Sequence, residues 1–107
     1  MTNFISTGST YWISDEEIQI LEKKATNGDK NSAFKLYQYH MFVSLDQDLE
    51  FKWLEKAAKN GHPIAQSNLA DLFFTQGNKE KAIFWAKKAY RNEAKLPDEL
   101  KILININ

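Results

Sequence analysis

Two parts of this chain repeat one another. Leu21-Glu22-Lys23 recurs as Leu54-Glu55-Lys56, Ala25 as Ala58, Asn27-Gly28 as Asn60-Gly61, Ser32 as Ala65 and Leu36 as Leu69, all at an offset of 33. At an offset of 32, Trp53 falls on Trp85, Lys56 on Lys88 and Ala57 on Ala89. The matches spread over apolar, charged, small and turn-forming residues, so composition alone does not produce them. A period in this range, with two helices per unit, is the signature of a helical solenoid. One such unit cannot bury its apolar face alone and stacks on its neighbour.

Local signals divide the chain accordingly. Ser14 and Glu17 form S-x-x-E, a capping box that satisfies free amides at a helix start. The first helix is predicted from about Asp15 to Thr26, with Ile18, Leu21 and Ala25 on one face and Asn27-Gly28 ending it. A second helix follows from about Lys30 to Phe42. A turn within Val43 to Gln47 offers Ser44 or Asp46 as the cap of a third, which ends at Asn60-Gly61. Pro63 sits at the start of a fourth, where a missing amide is tolerated. Gln76-Gly77-Asn78 breaks the chain again, and a fifth helix runs from about Lys79 to Arg91. Pro97-Asp98-Glu99 opens a last helix with Leu100, Leu103 and Ile104 facing inward; the period of two in ILININ also permits a strand, for which the chain offers no obvious partner. Residues 1–13 show no helical period and read as an extended arm whose Tyr11, Trp12 and Ile13 dock on the first helix. Residues 14–107 form the repeat domain.

The small residues follow from stacking. Ala58, Ala65, Ala70, Ala82 and Ala89 let antiparallel helices approach closely, while Trp53 and Trp85 fill the space left between layers. Trp53 to Phe73, WLEKAAKNGHPIAQSNLADLF, resembles the Sel-one-like repeat, a relative of the tetratricopeptide repeat. Ala82 to Ala89 resembles the second helix of that unit, and Leu21 to Leu36 a degenerate copy. Together they span residues 17 to 91. The resemblance implies an all-α fold: a short right-handed solenoid of antiparallel helix pairs, about five to six helices in all. Two departures stand out. The family's Gly-x-Gly loop is replaced by Val43-Ser44-Leu45-Asp46 and by Gln76-Gly77-Asn78, and His40 occupies the place that Phe73 fills in the later copy.

No motif for catalysis is legible. His40 and His62 have no Cys or carboxylate at metal-ligand spacing, and structural roles suit both. Asp46-x-Asp48-x-Glu50 begins like a calcium loop, but Phe51 and Ala57 occupy its glycine and distal glutamate positions. A capped helix start, favoured by the helix dipole, explains the acids better. There is no phosphate loop, dinucleotide loop or nucleophile elbow. The expectation is a non-enzyme with no cofactor and no metal.

Charge narrows the partners. Lys and Arg total 14, as do Asp and Glu, and Arg91 is the one arginine. Neither a nucleic acid nor an anionic membrane is attracted by such a balance. The chain has no cysteine, shows no signal peptide and contains no apolar run near the roughly 20 residues that span a bilayer. The expected location is the cytoplasm.

The resemblance supplies the candidate surface. In that repeat class the first helix of each unit lines the concave face, which here implies Asn31, Phe34, Gln38, Met41 and Phe42, then Ile64, Ser67, Asp71, Phe74 and Thr75. Large apolar groups beside a few polar ones suit a protein partner. Phe34, Phe42 and Phe74 equally suit a core, or a groove covered by the arm or the last helix. Family members commonly scaffold signalling or secretion assemblies. A short Lys- and Asn-rich chain of this kind is expected to be a bacterial immunity or inhibitor protein that neutralises a cognate toxin or secreted effector. The alternative is an adaptor or chaperone-like scaffold recruiting peptides to a larger complex.

Overall fold

The computed structural model describes residues 10–106 and is all-α. Six helices lie within them: α1 (Asp15–Thr26), α2 (Lys30–Tyr39), α3 (Gln47–Lys59), α4 (Pro63–Thr75), α5 (Lys79–Arg91) and α6 (Asp98–Leu103). No strand occurs among the described residues, so ILININ is helical through Leu103 and then turns.

Side chains at the helix starts explain where the elements begin. The Ser14 hydroxyl accepts the Glu17 amide at 3.2 Å, Asp29 accepts Asn31, Asp46 accepts Leu49 and Asn78 accepts Lys81. His62 takes the same role at α4, its Nδ1 accepting the Ala65 amide at 3.3 Å. These caps are themselves periodic: Asp29 and His62 are 33 apart, Asp46 and Asn78 are 32 apart. Each offsets free amides at a helix N-terminus. Asp46 is thus the cap of α3, and Ser44 instead accepts the Asp46 amide at 3.4 Å.

The helix ends repeat too. Asp29 N–H reaches the Lys24 carbonyl at 3.0 Å, His62 reaches Ala57 at 3.0 Å, Asn78 reaches Phe73 at 2.8 Å and Ala94 reaches Ala89 at 2.9 Å. Ile106 reaches Lys101 at 2.7 Å with Asn105 at φ 62°, so this one Schellman turn is used five times among the described residues. It demands a left-handed residue before the donor, and Gly28, Gly61 and Gly77 supply φ of 104, 100 and 82°. In the fourth turn Glu93 holds φ 66°.

The junction after α2 departs from the expected loop. Its helix continues without a break into a wider π turn, His40–Ser44, ended by Leu45 at φ 57°. The helical stretch therefore reaches two residues beyond Phe42. The wide turn brings His40 Nδ1 within 2.7 Å of the Ser44 hydroxyl.

Consecutive helices pack on one another, most extensively α2 on α3 and α4 on α5, and α1 also reaches α3. Ala25, Ala33, Ala57, Ala65, Ala70, Ala82, Ala86 and Ala89 are fully buried along these contacts. Trp53 is 3% exposed and Trp85 is buried as well. Side chains tie neighbouring layers. The Asn60 amide donates to the Ala25 carbonyl at 3.2 Å, Gln66 donates to Ala58 at 3.1 Å, and Asn92 donates to Gln66 at 2.8 Å. Leu100 and Ile104 are buried and Leu103 is half-buried against the core, so α6 faces inward as the periodicity predicts.

Residues 1–9 of the expected arm lie outside the described residues. Thr10 is helical and Tyr11 lies in a turn, so the rest of the arm is not extended throughout. Ile13 is buried, whereas Trp12 is 63% exposed and does not dock. Tyr11 stacks on Phe42, beyond the end of α2, at a ring separation of 4.6 Å.

Candidate functional site

The residues expected to face a partner separate into two groups. Asn31, Phe34 and Gln38, one turn apart on α2, line a single cleft of about 360 Å³. A flat pair is part of its lining: the Phe34 ring lies on the His62 imidazole, 4.0 Å between centroids and 13° from parallel. Tyr11, Trp12 and Lys35 also line it.

The local sequence explains this arrangement. Spacings of three and four residues put Asn31, Phe34 and Gln38 on one helix face. The cap that starts α4 then lays His62 beside them, since Nδ1 must point at the Ala65 amide. Burial pushes the His62 pKa down, and Lys30 pushes it further the same way. Both keep the ring neutral, as an Nδ1 acceptor must be. Lys35 pairs with Glu17 of α1 at 3.1 Å, with both side chains about half exposed. The Asn31 and Gln38 side-chain amides make no hydrogen bond with the described residues and are left to face the cleft.

The second group does not line that cleft. Ile64 is 54% exposed and Asp71 is exposed. Ser67 is buried and its hydroxyl donates to the Lys95 carbonyl at 3.3 Å, so it holds the segment leading to α6. Thr75 donates its hydroxyl to the Asp71 carbonyl one turn back, at 2.9 Å. Phe74 and Met41 are half-buried against the core, and Phe42 lies against Tyr11. The two units therefore differ: the N-terminal segment walls a cleft over α2, while the segment after α5 is tied down on α4.

Tyr11, Trp12, Lys35 and His62 join the cleft without having been anticipated as partner-facing residues. For His62 a signal existed, because the repeat offset puts it at the capping position of Asp29, beside the next unit's start. Nothing comparable marked Trp12, which reads as an ordinary docking aromatic until its exposure is known.

The cleft offers flat aromatic surface, two side-chain amides that bond none of the described residues, and one ammonium group. His40, the other histidine, is buried, and desolvation lowers its pKa. It contacts Ser44, and Tyr39 meets its ring edge-on at 5.0 Å. Among the described residues no cluster of three or more His, Cys, Asp or Glu could hold a metal, and no helix is long and apolar enough to cross a membrane.

No family model matches this chain, and no solved structure matches it. Among curated proteins it is similar to the uncharacterized protein YibG of Escherichia coli (strain K12), 34% identical over 94 residues. That similarity spans 81% of this chain and 61% of the relative, so the chain covers less than two thirds of the relative's length.

Proposed function

We propose that this chain is a non-catalytic protein-binding module built on Sel-one-like repeats, acting in the cytoplasm as an inhibitor of a cognate toxin or effector. The observation that carries the reading is the cleft over α2. There an exposed Trp12 shares the lining with a stacked Phe34–His62 pair and with the side-chain amides of Asn31 and Gln38, which make no hydrogen bond with the described residues. Exposed aromatics next to unsatisfied polar groups are the usual anchors of protein interfaces. The absence of cysteine in the chain suits a reducing compartment.

The test is genetic and biophysical. Products of genes adjacent to the one encoding this chain are expressed with and without it, and growth is scored alongside binding by calorimetry. The reading expects one toxic neighbour whose effect is relieved and which binds at submicromolar affinity. If no neighbour is toxic or bound, inhibition is abandoned. Adaptor function is the second reading, favoured by the modest size of the cleft, which suits a short segment better than a broad folded surface. It expects several short ligands at weaker affinity in place of one folded partner.

A further inference from the structure

We infer that the α2 cleft takes a short acidic segment of a partner protein, a loop or tail that presents one large apolar side chain beside a carboxylate. This rests on the binding-module reading and specifies its ligand. At about 360 Å³ the cleft lies at the small end of binding sites, enough for one anchor side chain but not for a helix face. Trp12 and the Phe34–His62 pair both line the cleft and offer that anchor apolar surface. The free amides of Asn31 and Gln38 suit the main chain of an extended segment, which presents both donors and acceptors.

Charge complementarity selects the neighbouring residue of the ligand. Among the described residues lining the cleft, Lys35 carries the only permanent charge, and none is a carboxylate. The first nine residues contain no Asp or Glu either. Lys30 adds a second positive charge close enough to disfavour protonation of His62. Lys35 is held by Glu17 in a half-exposed pair. Such pairs contribute little, so an incoming carboxylate can replace Glu17 at small cost. A basic segment would have to compete with Lys35 for Glu17, which pairs with Lys35 from outside the cleft lining.

Trp12 is exposed whereas Trp53 and Trp85 are buried, so Trp12 emission reports on the cleft. Three synthetic peptides serve as probes: acidic with a central Phe, basic with a central Phe, and acidic with a central Ala. Each is titrated into the full chain at low salt. The expected result is a saturable change in Trp12 emission with the acidic Phe peptide, at an affinity about tenfold or more above the other two. Lys35→Glu should erase the preference for acid, and Asn31→Ala with Gln38→Ala should weaken binding about fivefold or more. Circular dichroism checks that each variant keeps its helices. Equal binding of all three peptides, or no change in emission up to millimolar concentration, overturns the inference. A protein partner identified by the genetic test separates this outcome from failure of the module itself. If that partner binds the Trp12→Ala protein as well as the native one, the cleft is the wrong site while the binding function stands.

Discussion

Asn60 donates its side-chain amide directly to the carbonyl of Ala25, whereas Asn92, its counterpart 32 residues on, reaches toward Ala58 only through Gln66. Ala58 is the repeat equivalent of Ala25, and Gln66 stands where the first unit has Ala33. The same connection between layers is thus made once directly and once with an inserted amide. Gln66 is buried, so truncating it to Ala removes both hydrogen bonds from the interior, although the Ala58 carbonyl keeps the Gly61 amide at 3.1 Å and Asn92 is exposed. Gln66→Ala should destabilise by about 2 kcal/mol, and Asn60→Ala by about 1 kcal/mol. Urea denaturation would measure both. A double-mutant cycle of Gln66→Ala with Asn92→Ala should show clear non-additivity, because one interaction is removed twice.

Glu93 occupies the left-handed turn position that glycine fills at Gly28, Gly61 and Gly77. A residue with a Cβ is disfavoured there. Glu93→Gly is expected to raise stability by up to about 1 kcal/mol, the lower strain being partly offset by a more flexible unfolded chain. Gly61→Ala should lower it by about 1 kcal/mol or more. A Cβ at Gly61 would touch nothing within 4 Å, so that loss comes from the backbone angle alone. Opposite shifts in thermal midpoint would confirm the pair; a gain from Gly61→Ala would refute it.

Two tryptophans should respond in opposite ways to the same change. Trp53→Ala empties a buried layer and should cost about 3 to 5 kcal/mol. Trp12→Ala removes a mostly exposed ring and should shift stability by less than about 0.5 kcal/mol. If Trp12 is an interface anchor, its removal should weaken the proposed partner complex by roughly 2 kcal/mol, about thirtyfold. Equal effects of the two changes on folding would contradict their placement.

Acid should loosen the start of α4. The folded-state pKa of His62 lies below its ordinary value of 6.5, with burial the larger cause and Lys30 the smaller. The unfolded chain therefore binds the proton more readily. The stability that neutral His62 contributes is fully present above about pH 6.5 and is lost as pH falls toward the depressed folded value. His40 acts in the same direction, again through burial. His62→Asn keeps a capping side chain that does not titrate, so its unfolding free energy should fall less steeply between pH 7 and 5. A variant as acid-sensitive as the native chain would exclude His62 as a cause.

Phe34→Glu tests how far cleft and core can be separated. The ring is half-buried against the core and stacked on His62, so a carboxylate there should lower stability as well as binding. Loss of helical signal on heating at a clearly lower temperature is the expected result. An unchanged midpoint would mean that Phe34 is surface after all.

Much of the architecture was legible because repeats state each instruction twice. Asn27-Gly28 and Asn60-Gly61 announced the turns, Pro63 the start of α4, and buried alanines the close contacts. The π turn at His40–Ser44 was not legible, since widening one helical turn needs no change in apolar spacing. Only some of the candidate site residues line one cleft, for a physical reason. Asn31, Phe34 and Gln38 lie on a helix whose face follows from periodicity. Ser67 lies on the equivalent helix, but the segment after α5 folds over it, and that return depends on distant contacts. Trp12 was misplaced because an aromatic outside any periodic element carries no information about which way it points.

The recurring turn has a consequence for how such a chain can change length. Asn27-Gly28-Asp29 and Asn60-Gly61-His62 present the same backbone path and the same pairing of helix end with helix start. A segment duplicated from Asp29 to Gly61 would join to either side through a junction the protein already makes. The turn is therefore a splice site: copies can be gained or lost there in whole units, with no new joint to invent.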